Sequence, residues 1–267
     1  MRTEIFNPKI SIVILQYNRS DLTLACLETV SKLTYPNFDV IVVDNASEQI
    51  HRDAIKKWNP ILSKQNLGYG GGNNLGIVEA LSKGADYVLI LNNDTKIEAD
   101  FLDKIPKKDI SGPIVDKIKW FFPQGFPNAD IDDKHTYISG AAILISKAVF
   151  NKIGMFDDSF FLYFEDADFC FRAKQNGFSI STMKDASIYH ESSASFRDSG
   201  NIVRLRYNAR NAHYFFYKHA PYYVKMLLPF WSFFVILAMT LLLPFRALAK
   251  GILFGTFDFY LGKTGKI

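Results

Sequence analysis

The chain has 267 residues, 48% of them apolar, two cysteines and a formal net charge of +4. A sequence of this kind buries a large core, which excludes a disordered protein and a disulfide-stapled secreted module. The charge is divided, with nine Lys/Arg against one acid, Asp258, in residues 203–267, and that basic, strongly apolar end suits lipid headgroups better than nucleic acid.

Residues 10–16, ISIVILQ, are β-branched and apolar throughout, as in a strand covered on both faces. Ser20-Asp21 then caps a helix running to about residue 33. Residues 38–44, FDVIVVD, form a second strand, followed by a helix from Ser47 to Trp58. ILSKQ reads as a short third strand, QNLGYGGGNNLG as a glycine loop, and residues 73–83 as the next helix. Tyr87 to Leu91 is a fourth strand. This alternation predicts an α/β, Rossmann-like fold, with a mostly parallel central sheet flanked by helices.

The pattern changes after residue 105, where Pro113, Pro123 and Pro127 divide strand fragments and loop. TYISGAAILISKAVFNKIG reads as a strand turning into a helix, and FFLYFEDADFCFRAKQNG as an aromatic segment leading into an acid-rich helix that stops at Gly177. FSISTM and ASIYH are two more strands. From about Asn201 the chain is helical. Residues 226–245 carry no charge, but Pro229 and Pro244 leave only 14 residues between them. That is roughly 21 Å of helix against a ~30 Å hydrocarbon core. Lys225, Arg246 and Lys250 flank the run, so it is expected to lie in or dip into the membrane interface. Cys26 and Cys170 sit in apolar helical patterns and read as buried free thiols. The polar start MRTEIFNPKI leads straight into a strand, so a reduced, cytosolic compartment is expected.

In an open α/β sheet, ligands bind beyond the C-terminal ends of the strands. Three polar strand ends meet there: Gln16-Tyr17-Asn18, Asp44-Asn45 and Asn92-Asn93-Asp94. Each alone is compatible with an ordinary turn; their convergence points to a ligand. The glycine segment lacks the lysine of a Walker loop and the spacing of GxGxxG. Its glycines permit close approach to a flat ligand, and Asn73-Asn74 is expected to start a helix beside a phosphate. Asp94 is a hard oxygen ligand suited to Mg²⁺ or Mn²⁺ on a diphosphate. His190 is a candidate second ligand that favours Mn²⁺, with a structural histidine as the alternative. On the acid-rich helix, Glu165, Asp168 and Arg172 share a face, with Asp168 and Arg172 spaced as an i,i+4 ion pair. Asp166 points about 100° away from Glu165 and is free to face a cleft. Among aromatic neighbours its carboxylate becomes more basic, as a general base requires. Glu165 and Asp168 also suit the positive end of the helix dipole.

Asp44, the LNND after the fourth strand, the FEDADFCFR block and the YH beyond it together resemble glycosyltransferase family 2, whose fold is GT-A. NLGYGGGNNLGI, GAAILISKAVFNKIGMFD and RYNARN are similar to its rhamnosyltransferase-like and galactofuranosyltransferase-like members, which build bacterial surface polysaccharides. The likeness covers roughly residues 8–215. It implies an inverting transfer from a UDP- or dTDP-sugar to a glycan or lipid-linked acceptor at the cytosolic face of the membrane. It implies a nucleotide-sugar site at Tyr17, Asp44, Gly68, Asn73 and Asn93. Asp94 would bind the metal with His190 as distant partner, Asp166 would be the base, and Glu165 would help place the acceptor. Asn92 departs from the acid usual at the first position of the DXD-type motif, which leaves less negative charge for the ion. The implied division is a catalytic domain over 1–200, with a donor half at 8–105 and an acceptor half at 106–200, and a helical extension over 201–267. A non-catalytic nucleotide-sugar-binding scaffold and a nucleotidyltransferase remain open alternatives.

Overall fold

Strand β1 (Ile10–Gln16) is apolar at nearly every position because both of its faces are covered: Ile12 and Ile14 enter one core and Val13 the other. The computed structural model describes residues 7–118, 125–127, 135–183, 188–190, 200–241 and 246–267. After β1 come α1 (Ser20–Val30), β2 (Phe38–Asp44), α2 (Gln49–Ile55) and β3 (Ile61–Leu62). Then follow α3 (Gly68–Ser82), β4 (Tyr87–Asn92), β5 (Thr95–Ile97) and α4 (Phe101–Lys104). The middle of the chain gives β6 (Ile110–Gly112), β7 (Val115–Ile118), β8 (Gly125–Pro127), β9 (Thr136–Ile138), β10 (Ala142–Ser146) and α5 (Lys147–Ile153). It closes with α6 (Glu165–Gln175), β11 (Ile180–Thr182), β12 (Ile188–His190), α7 (Gly200–His219), α8 (Tyr222–Leu241) and α9 (Arg246–Tyr260).

The main sheet has the order β11-β6-β10-β4-β1-β2-β3. β4, β1, β2 and β3 are parallel, while β10 runs antiparallel between β4 and β6. Gln16 pairs with Asp44, and Leu15 with Asn92, so the three polar strand ends finish level. β5 pairs antiparallel with β12, which sets His190 opposite Thr95. Both cysteines are buried free thiols.

The glycine segment is not a loop. Gly68 to Ser82 is one helix, and Asn73-Asn74 lies in its second turn rather than at its start. An interior glycine costs a helix about 1 kcal/mol against alanine, yet packing requires these. A Cβ on Gly76 would stand 2.3 Å from Val13 Cγ1, and one on Gly72 would stand 2.6 Å from Leu15 Cδ1. The helix therefore lies tight against β1, and the tertiary contact overrides local propensity.

Residues 201–267 share their core with the body through α7 and the start of α8. Ala212, Phe215, Phe216, Val224 and Leu228 pack with Phe169 and Phe171 of α6. α9 lies on α7, where a Cβ on Gly255 would meet the Arg206 carbonyl at 2.2 Å. Pro229 does not interrupt α8 as the sequence suggested; the helix runs through it for 20 residues, long and apolar enough to cross a membrane. Val224, Leu228 and Ser232 face the body, while Phe230, Phe233, Phe234, Leu237 and Leu241 are exposed. Pro244 lies outside the described residues.

Candidate active site

The ends of β1 and β2 are locked to each other. Asp44 is fully buried; it accepts from Gln16 Nε2 at 3.2 Å, Ser47 N at 3.1 Å and Arg52 Nε at 3.0 Å. Asn45 donates to Asn66 Oδ1 and to the Gly68 carbonyl and accepts from Leu67 N, so it fixes the entry to α3. Gly68 has φ +74°, and a Cβ there would stand 2.2 Å from the Phe161 carbonyl, so glycine is required on both counts. Tyr17, just past β1, is 45% exposed.

Residues 160–164 deliver the acid-rich helix. Phe161, Tyr163 and Phe164 all have positive φ, at 61°, 70° and 75°. Such conformations cost of order 1–3 kcal/mol each for residues with a Cβ, so the surroundings must impose them. Three groups do so. Tyr69 N donates to the Phe161 carbonyl at 2.7 Å. Asn211 Nδ2 faces the carbonyls of Phe160, Leu162 and Tyr163 at 2.8, 2.6 and 3.0 Å. Arg210 Nη2 adds a second donor to Phe160 at 2.9 Å. Helix α6 then starts at Glu165 without a side-chain cap.

Asp166 Oδ2 accepts from Gly140 N at 2.9 Å, and its Oδ1 from Ala167 N at 2.8 Å. Burial raises its pKa to about 6 against the pull of those two amides. Glu165 is buried, its Oε2 has no hydrogen-bond partner, and burial together with the charge of Asp166 holds its carboxyl well above the usual range. Asp168 behaves in the opposite way. Burial raises it, but His219 (2.8 Å), Arg172 (2.7 Å) and Lys218 (2.7 Å) outweigh that and bring it to about 2.

The turn 139–141 joins the two halves of the site. Asn92 N donates to the Ala141 carbonyl at 3.0 Å and Thr95 Oγ1 does so at 3.3 Å, while Gly140 N holds Asp166. The Tyr69 hydroxyl donates to the Gly140 carbonyl at 2.6 Å. Burial raises the pKa of Tyr69, and so do the charges of Glu165, Asp166 and Asp94, which places one phenol within the field of all three carboxylates. Asp94 itself is buried at the end of β4. Two expected site residues turn elsewhere. Asn73 is buried and donates to the Tyr69 carbonyl, its Oδ1 left without a partner; Asn93 donates to Thr23 Oγ1 on α1. His190 is placed by backbone register alone, beside Thr95. The sequence reading missed Tyr69, Gly140, Arg210 and Asn211. An aromatic set among glycines and the quoted RYNARN were the available signals.

The sequence matches the family profile of Glycosyl transferase family 2 over residues 11–170. It is 27% identical over 239 residues to the dTDP-rhamnosyl transferase RfbF of Shigella flexneri, covering 77% of this chain and 79% of that one. It is 25% identical over 212 residues to the low-salt glycan biosynthesis hexosyltransferase Agl10 of Haloferax volcanii, covering 68% and 66%. Among solved structures, the mannosyltransferase PcManGT of Pyrobaculum calidifontis, in complex with GDP-Man and Mn²⁺, superimposes with a TM-score of 0.59 at 14% identity, over 97% of this chain and 89% of that one. S. aureus TarS residues 1–349 with UDP-GlcNAc give 0.55 at 19% identity, over 78% and 66%. With its mostly parallel sheet flanked by helices, this chain is a GT-A protein and belongs to glycosyltransferase family 2.

Proposed function

We propose that this protein moves a rhamnose- or galactose-type sugar from a UDP- or dTDP-sugar to a hydroxyl of a glycan or lipid-linked glycan, inverting the anomeric carbon, in the assembly of a bacterial surface polysaccharide. One observation carries the reading: Asp94 at a strand end and the Glu165-Asp166 pair at a helix start are gathered around Tyr69 and the turn 139–141. The name of the Shigella relative supports a dTDP-sugar donor. The nucleoside would lie against the exposed Tyr17, with Asp44 organising that wall through Gln16, Ser47 and Arg52.

Asp166 acts as general base. A carboxylate with a pKa of about 6 is ionised at neutral pH yet basic enough to draw a proton from an attacking alcohol. The amides of Gly140 and Ala167 fix both of its oxygens, which holds the carboxylate in one orientation. Glu165, with an oxygen that has no protein partner, is placed to accept a hydroxyl of the acceptor. A single displacement suffices, because only one carboxylate is poised as base and no covalent sugar–enzyme bond is required.

The residues present fit a divalent ion. Asp94 supplies a hard carboxylate just past β4, and the register of β5 with β12 sets His190 opposite Thr95, one position along the backbone from Asp94. Mn²⁺ or Mg²⁺ would be held by Asp94 and His190, with the donor diphosphate completing the shell. There it would neutralise charge on the departing diphosphate. Among the described residues no group of three or more His, Cys, Asp and Glu side chains is placed to hold a metal ion. The exposed aromatic face of α8 would rest on the cytosolic membrane surface and keep the cleft near lipid-linked acceptors.

The test is sugar transfer from a panel of UDP- and dTDP-sugars, with Mn²⁺ or EDTA, by wild type and Asp166→Asn. Wild type is expected to transfer only with the ion. The variant should bind nucleotide within about threefold of wild type and lose ~10³-fold or more in turnover. Undiminished transfer by Asp166→Asn removes that residue from the role.

A further inference from the structure

We infer that Asn211, oriented by Arg210, is a positioning residue for sugar transfer: it holds residues 160–164 in the strained conformation that aims Glu165 and Asp166. The inference rests on the transfer reading above and adds to it a part of the chain some 50 residues downstream of the acids.

The arrangement is specific. Positive φ at Phe161, Tyr163 and Phe164 bends this segment so that the carbonyls of Phe160, Leu162 and Tyr163 converge on one donor, and a convergence of like dipoles opens unless a donor sits at its centre. Asn211 Nδ2 is that donor, and its two hydrogens serve all three oxygens. An amide can present its oxygen or its nitrogen. Here Arg210 Nε donates to Asn211 Oδ1 at 2.9 Å, which leaves only the nitrogen to face the carbonyls. Arg210 is itself fully buried, and its hydrogen bonds go to neutral oxygens: Asn211 Oδ1, the Phe160 carbonyl and the Gly265 carbonyl at 2.8 Å. Its guanidinium also lies 5.2 Å from the Tyr207 ring centre, and Tyr207 stacks on Phe161 at 5.5 Å. Among the described residues the hydrogen bonds of this buried cation all go to neutral oxygens, which is costly for folding alone, where an apolar side chain would fill the same space. The two residues fit a role in shape rather than in bulk stability.

The consequence reaches the acids through the backbone. Phe164 sits at φ 75° immediately before α6, so its conformation sets the direction of the first helical turn. Asp166 meets Gly140 N at 2.9 Å only if that turn starts where it does. Relaxation of the loop by about 1 Å would misalign the base, a displacement that typically lowers turnover ~10²-fold.

The experiment uses the full chain with Asn211→Ala, Asn211→Ser and Arg210→Lys, and Val30→Ala as a core control on α1 chosen for a similar loss of Tm. Three quantities are read: hydrogen exchange of amides 160–167, dissociation constants of UDP and dTDP, and kcat and KM for transfer from the donor panel. Expected for Asn211→Ala and Arg210→Lys are exchange at 160–167 at least ~10-fold faster, kcat lower by ~10²-fold, and nucleotide affinity within about threefold. Asn211→Ser, which retains one donor hydrogen and keeps the protein folded if alanine does not, should fall between. Val30→Ala should lose Tm without either change. Turnover and exchange of Asn211→Ala within about threefold of wild type overturn the inference, as does an equal loss of turnover in Val30→Ala. If wild type transfers no sugar from any donor, the transfer reading falls, and localised exchange in the Asn211 variants then supports the clamp alone.

Discussion

Asp166 and Asp168 stand two residues apart on one helix and titrate in opposite directions, because burial dominates at the first while the second faces Arg172, Lys218 and the His219 ring. Asp166 has its folded pKa raised to about 6, above the ~3.9 of an unfolded chain. The protonated form is therefore the one the fold favours, and that contribution is full below about pH 4 and gone above pH 6. Turnover is expected to rise with pH through about 6 as the base ionises, read from kcat against pH. Asp166→Asn leaves one of the Gly140 and Ala167 amides without its acceptor, and the Tm of the variant relative to wild type should rise between pH 4 and pH 8. Asp168 has its pKa lowered, so its contribution is complete above about pH 4 and lost as pH falls toward 2. Asp168→Asn should cost ~3 kcal/mol at pH 7, read by denaturant melts, since it removes the buried charge that Arg172 and Lys218 face. The basicity of Asp166 was legible from its aromatic neighbours in the sequence. Its partner Gly140 was not, since nothing local marks an amide 26 residues away as a donor. Asn93 was legible as a strand end, but the direction of its side chain toward Thr23 depends on where α1 lies.

At the scale of elements, α3 shows how packing overrules propensity. Gly76→Ala would add helix propensity of about 1 kcal/mol but force a methyl against Val13 at 2.3 Å. Overpacking of 1–3 kcal/mol should prevail, so a net loss of about 1 kcal/mol is expected in chemical denaturation. Strands β1, β2 and β4 could be read from sequence almost to the residue, because a strand buried on both faces leaves an unbroken β-branched run. The helical glycine run could not, since glycines signal a loop unless the facing strand is known. The positive-φ segment before α6 was equally hidden. Phenylalanine and tyrosine give no local sign of a left-handed backbone; that conformation is imposed by Tyr69 and Asn211 from distant parts of the chain.

Across the whole molecule, α7 is the common member. It packs on α6 through Phe215, presents Asn211 and Arg210 to residues 160–163, and carries α9 on its other side. The aromatic face of α8 gives the proposed seat on lipid a direct test. The protein should co-float with anionic vesicles, and Phe230→Glu with Phe234→Glu should release it while transfer to a soluble acceptor persists; flotation unchanged by both substitutions would count against that seat. Residues 265–267 are tied to the body: Gly265 N donates to the Ser159 carbonyl at 2.8 Å, Gly265 accepts from Arg210, and Ile267 N donates to the Tyr207 hydroxyl. Substitutions and proteolytic nicks at residues 263–267 are thus edits to the scaffolding behind the acids, to be avoided in any enzymology.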